Sequence, residues 1–148
     1  MSKNRRTRKR KLKSYLAIEF TRAKYGKDKI VYLLTVNRPH RYSRGSSHIV
    51  YIGTSKNGVS RVAASSASKG RTYLESHGIK KLSAYVVPVP LKPNVRMWEE
   101  LESALLLAFL REYGDKPEAN KQLPRGSSQK IFKYFKERDV LQILKAHE

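Results

Sequence analysis

There is no cysteine among the 148 residues. Disulfides, thiolate nucleophiles and zinc–thiolate sites are therefore excluded. Long apolar runs are missing as well. The longest, Ala104 to Leu110, has seven residues, against the ~20 needed to cross a bilayer. The N-terminus lacks the apolar segment of a secretory signal. A cytoplasmic or nucleoid-associated location and no membrane partner are expected. Acid is scarce in a local way: from Lys29 to Trp98 the only acid is Glu75, against twelve Lys and Arg. Two-metal chemistry needs several clustered carboxylates, which this half of the chain cannot supply. The four histidines, His40, His48, His77 and His147, show no metal-ligand spacing, and there is no Gly-rich phosphate loop.

What the chain has in excess is positive charge. Lys and Arg number 32 and Asp and Glu 12, a formal net charge of +20. Residues 1–13, MSKNRRTRKRKLK, hold eight of the basic residues and no acid; they read as a disordered basic tail. The remainder is still +12. Self-repulsion of this size works against a compact fold, so a polyanion partner is implied. Nucleic acid is the expected one, with DNA ahead of RNA, and binding should fall steeply with salt.

Hydrophobic residues make up 39% of the chain, enough for one modest core in one domain. Lys29 to Val36, KIVYLLTV, reads as a buried strand. Residues 37–48, NRPHRYSRGSSH, read as a loop, and HIVYIG, residues 48–53, as a second strand forming a hairpin with the first. Val59, Val62 and Ala63 have helical spacing, with Asn57 or Ser60 as the cap; this helix is expected to fail near Ser68-Lys69-Gly70. Ile79 to Val89 alternates as a third strand, ended by Pro88 and Pro90. Met97 to Tyr113 is the strongest helix, closed by Gly114 and apolar around most of its circumference. Ser127 or Ser128 caps a last helix that packs through Ile131, Phe132, Phe135, Val140, Leu141 and Leu144. The fold class is α/β (α+β), a small, mostly antiparallel three-stranded sheet flanked by helices.

On the wheel of the long helix, Glu99, Glu100 and Ser103 form one polar arc. Glu102 falls outside it, between Leu106 and Phe109 and one turn from Trp98. A carboxylate near an apolar face needs a positive partner. That partner is an Arg or Lys, or a divalent cation. The plain alternative puts Glu102 at the polar margin, pairing with Arg61.

These residues fall into one pattern: VYLL at 31–34, VYIG at 50–53, an Arg eight residues after the glycine, ELESALLLAF with its Glu, and PEAN at 117–120. The pattern resembles the GIY-YIG nuclease family over about Lys29 to Gln122. Three departures are visible: Ile30 stands where the first motif has glycine, the segment between Tyr32 and Tyr51 is longer than usual, and Ser65 stands where many members carry His or Tyr one turn after the arginine. The resemblance implies a nuclease-like domain over residues 14–122, with 123–148 as a helical extension packed on it. It also implies phosphodiester hydrolysis with one divalent ion, Mg²⁺ or Mn²⁺. Carried over by position, Tyr32, Tyr51, Arg61, Glu102 and Asn120 become the catalytic set, with Glu102 the metal ligand and Gly53 letting the backbone pass close. In this scheme a Tyr hydroxyl relays a proton, which requires Arg61, Lys56 and the ion to lower its pKa. Arg61 offers a planar fork to phosphate oxygens, and Asn120 orients Glu102 or the closing loop.

Arg38, Arg41 and Arg44 of the 37–48 segment, with Lys56 and Arg71, are candidate phosphate contacts, and Tyr42 a candidate base-stacking residue. Only 28 residues follow Asn120, so weak sequence specificity is expected, with a protein partner as one route to targeting. A second reading, a non-catalytic nucleic-acid binder of the ribosome or chromosome on the same scaffold, explains the charge equally well. It gives Glu102 no purpose.

Overall fold

The computed structural model describes residues 12–17, 19, 29–76, 78–124 and 126–148. Apart from Leu12 and Lys13, the tail expected over 1–13 lies outside the described residues, as does His77. Leu12, Tyr15 and Leu16 are exposed. The described chain is a small α+β fold with a three-stranded antiparallel sheet and, among the described residues, four helices. None of these helices is long and apolar enough to cross a membrane.

The strands are β1 (Ile30–Tyr42), β2 (Gly45–Ser55) and β3 (Leu82–Pro88), in the order β2-β1-β3. Strand β1 is central and its first seven residues are all buried, as a strand covered on both faces requires. Its side chains alternate between two cores. Val31 and Leu33 join one core with Ile52 and with the long helix, α2 (Met97–Tyr113). Ile30, Tyr32, Leu34 and Val36 join the other, under α1 (Val59–Leu74).

The loop expected over 37–48 is instead hairpin. The ladder resumes at His40↔Ser47 and runs to Tyr42↔Gly45, leaving a two-residue turn at Ser43 and Arg44. Between Thr35 and His40 the register shifts, so the polar residues that look like a loop occupy a wide bulge. Pro39 sits there, where its missing N–H breaks no ladder bond. A second bulge lies at Val50, because Leu34 pairs with Tyr51 and Thr35 with Ile49.

Helix α1 does not fail at Ser68-Lys69-Gly70; it runs on to Leu74. Gly70 is buried on the sheet side, in line with Val62, Ser66 and Tyr73, and this contact outweighs its low helix propensity. Neither Asn57 nor Ser60 caps the start. Gly58 takes that position with φ +68°, held by Ser55 Oγ donating to its carbonyl at 2.8 Å. Strand β3 begins only at Leu82, because the Asn37 side chain accepts from the N–H groups of Lys80 and Lys81.

Helix α2 has the expected bounds, ending at Gly114 in the left-handed region, φ +78°. The expected last helix is two: α3 (Ser128–Ile131) and α4 (Glu137–Lys145). Ser127 is at the N-cap of α3 but makes no side-chain cap bond. Ile131, Val140 and Leu144 enter the same core as α2.

Candidate functional site

Tyr32 and Gly53 are direct partners across β1 and β2, and Tyr51 is the next same-face residue on β2. The Tyr32 and Tyr51 rings are 5.8 Å apart at 46°. Gly53 is what lets them meet. A Cβ on Gly53 would lie 2.5 Å from Tyr51 Cε1, 2.9 Å from its hydroxyl and 3.0 Å from Tyr32 Cζ, closer than packed atoms tolerate. Tyr32 is buried and Tyr51 half-buried.

Helix α1 covers these rings. Arg61, Ser65 and Lys69 recur every four residues along it and share one face. Lys69 Nζ lies 3.9 Å from the centroid of the Tyr51 ring, a cation–π contact. The Lys69 pKa is lowered by burial and then by the charges of Arg61 and Lys121, so the cation over the Tyr51 ring is itself crowded by two others. Among the described residues, none of the three has a carboxylate within ion-pair distance. Lys69 is absent from the expected set because the helix was expected to stop before presenting it. The four-residue spacing from Arg61 is the signal that finds it.

Glu102 projects from α2, which packs on β2, the edge strand. It is half-buried. Its carboxyl pKa is raised by burial and then by Glu99, and among the described residues it has no ion pair with Arg61 or any other cation. The charges of Glu102 and Arg61 nonetheless both act on Tyr51. Its phenol is pushed up to about 12, first by burial, then by Tyr32 and Glu102, with Arg61 pulling the other way. The expectation that positive charge lowers this pKa is therefore corrected for the protein alone: desolvation wins. Lys56 is exposed in the β2–α1 connection and is not among the charges acting on Tyr51.

Asn120 is buried beside β2, but its bonds go to the backbone rather than to Glu102. Its Oδ1 accepts from Ile52 N at 2.9 Å and its Nδ2 donates to Ile52 O at 2.8 Å. With Ala119 N donating to Val50 O at 2.8 Å, the PEAN segment closes the open edge of β2 as a short strand would. It also carries Lys121 to Lys69.

The remaining candidates scatter. Tyr42 is a core residue, 7% exposed, its hydroxyl donating to Ile49 O at 2.7 Å and accepting from Glu118 N. It has no free face for a base. Arg44 caps α2, donating to Arg111 O at 2.5 Å and Leu110 O at 3.3 Å. Arg38 and Arg41 are exposed on the far half of β1, where Arg38 lies against Gly78. Six residues separate Arg38 from Tyr32, roughly 20 Å of strand. Arg71 is exposed in the last turn of α1. His48 is held by Val36 O at 2.6 Å and lies beside His147, in a 280 Å³ pocket away from the tyrosines.

Among the described residues no group of three or more His, Asp or Glu could hold a metal. An all-protein metal cage is excluded there. A lone carboxylate suits a hard ion that takes most of its ligands from water and phosphate, and Glu102 provides that. No family model matches this sequence, and no curated protein or solved structure matches it.

Proposed function

We propose that this protein binds nucleic-acid backbone and hydrolyses it at a single-metal site resembling that of GIY-YIG nucleases. One observation carries the reading: Lys69 lies over the Tyr51 ring, crowded by the charges of Arg61 and Lys121, the charges of Arg61 and Glu102 both act on the Tyr51 phenol, and among the described residues none of these four has an ion pair. Like charges gathered without counter-ions make a binding site for an anion. A carboxylate beside an anion site makes sense only if a cation stands between them.

Arg61 and Lys69 bind the phosphate oxygens, Arg61 as a planar fork and Lys69 as a point charge. Water adds to phosphorus, one P–O bond breaks, and a phosphomonoester and a hydroxyl result. Glu102 holds Mg²⁺ or Mn²⁺, which when bound supplies charge stabilisation at the phosphate. With its pKa near 12, Tyr51 keeps its proton at neutral pH and acts as a donor, orienting the attacking water or a phosphate oxygen. Tyr32 fixes the Tyr51 ring, and Asn120 holds the β2 edge on which Tyr51 sits. Ser65 stands where many members of that family carry His or Tyr, and one turn further on Lys69 lies over the Tyr51 ring.

The competing reading, a non-catalytic binder, uses the same cations and leaves Glu102 idle. Nicking of supercoiled plasmid with Mg²⁺ or Mn²⁺, comparing wild type with Glu102→Gln, separates the two. Metal-dependent nicking lost in the variant, with binding kept, supports hydrolysis. No nicking by either protein, with salt-sensitive binding by both, leaves the binder.

A further inference from the structure

A cationic cavity, apart from the Tyr51 site, lies one turn before Glu102 on α2. It measures about 680 Å³ and is lined by Lys29, Lys92, Arg96 and Trp98, with the loop 91–95. No acid is among its lining residues. Lys29 Nζ stands 4.7 Å over the Trp98 ring. Trp98 is 8% exposed, and its indole Nε1 is buried with no hydrogen-bond partner among the described residues. A buried N–H without an acceptor is uncommon enough to need a reason. The cavity also opens at the start of α2, a 17-residue helix whose N-cap residue, Arg96, gives no side-chain cap. Glu99 and Glu100 in the first turn offset the positive end of the helix dipole, so the charge of the site comes from the three side chains.

We infer that this cavity is a second backbone subsite, taking a non-bridging phosphate oxygen of the nucleic-acid strand that runs to Glu102. The inference rests on the nucleic-acid reading above and extends it. Two features select an anion over a stacked base: the ring of Trp98 is buried and already faced by Lys29, and the charged groups of the lining are all cations. Arg96 spends part of its charge on Glu99 at 3.4 Å; Lys29 and Lys92 have no carboxylate within ion-pair distance among the described residues. Trp98 and Glu102 are four residues apart on one helix, with Cβ atoms about 6 Å from each other. One strand can reach both positions. Subsites in series would hold that strand in register with the reacting phosphodiester.

Trp98 is the only tryptophan, so its indole ¹H–¹⁵N resonance reports this site alone. The full chain is titrated in EDTA with a short single-stranded oligodeoxynucleotide, and separately with inorganic phosphate at the same phosphate concentration. Fluorescence anisotropy of a labelled oligonucleotide measures binding in parallel. The expected result is a saturable indole shift with the oligonucleotide and none with inorganic phosphate. In Lys92→Gln/Arg96→Gln, two exposed positions, the shift disappears and the slope of log Kd against log salt falls by about 1.4. Oligonucleotide binding with an unmoved indole resonance overturns the subsite and leaves the nucleic-acid reading standing. No oligonucleotide binding at all overturns both. A shift with inorganic phosphate equal to that with the oligonucleotide reduces the cavity to a free-anion pocket and overturns the inference.

Discussion

Lys69 Nζ stands 3.9 Å from the centre of the Tyr51 ring, joining the middle of α1 to the edge strand of the sheet. The charge lies on the ring face while Arg61 and Lys121 press on it from nearby. On the proposed hydrolytic reading, Lys69→Met is expected to lower the cleavage rate at least about tenfold by removing a preorganised phosphate partner. Lys69→Arg should restore part of it. Single-turnover cleavage at saturating enzyme measures this apart from binding.

The lowered Lys69 pKa sets a direction for binding. Burial, Arg61 and Lys121 all favour the neutral amine, and a bound phosphate favours the ammonium. Binding therefore takes up a proton, and affinity should weaken as pH rises toward the ordinary lysine value of 10.5. Anisotropy titrations over that range should show the loss in wild type and a flatter profile in Lys69→Met.

Glu102 makes the metal-free protein less stable as pH rises. Its pKa is raised above the ordinary 4.5, by burial first and Glu99 second. In the window above 4.5 the folded state holds more protons than the unfolded one, so stability falls through that window. Glu102→Gln should remove this dependence and raise Tm at neutral pH. Added Mg²⁺ should raise the Tm of wild type and leave that of the variant unchanged. Scanning calorimetry in EDTA and in Mg²⁺ checks both parts.

Gly53→Ala forces a methyl against both tyrosines. Tyr32 has no room to retreat, so overpacking should destabilise the fold by about 1–3 kcal/mol and displace the Tyr51 ring. The urea midpoint should decline, and on the proposed reading the rate per folded molecule should decline with it while oligonucleotide affinity changes little.

Asn120 and Arg44 should behave as structural residues. Asn120→Ala strands the Ile52 N–H and C=O at the sheet edge, at about 1–3 kcal/mol for each group left unpaired. Arg44→Ala releases the carbonyls at the end of α2, at about 0.3–1 kcal/mol. Both should lower the urea midpoint. Neither should alter the salt dependence of binding.

Local pattern and composition determined more of this molecule than its short length suggests. The positive charge, the bounds of α2, the buried run that opens β1 and the pairing of a VYIG strand against it follow from side-chain type and spacing, which act over a few residues. So does the oddity of Glu102, since a helix wheel needs no partner to be drawn. Tertiary contact decided the rest. Gly70 stays helical because the sheet lies against it. Residues 37–48 are hairpin rather than loop because Tyr42 is anchored in the core and the polar stretch is absorbed by a bulge. Lys69, Lys121 and Tyr51 come from three separate segments, and only packing brings them together. The direction of the Tyr51 pKa depends on how much water the fold removes set against the charges it gathers, and that balance exists only once the chain has closed.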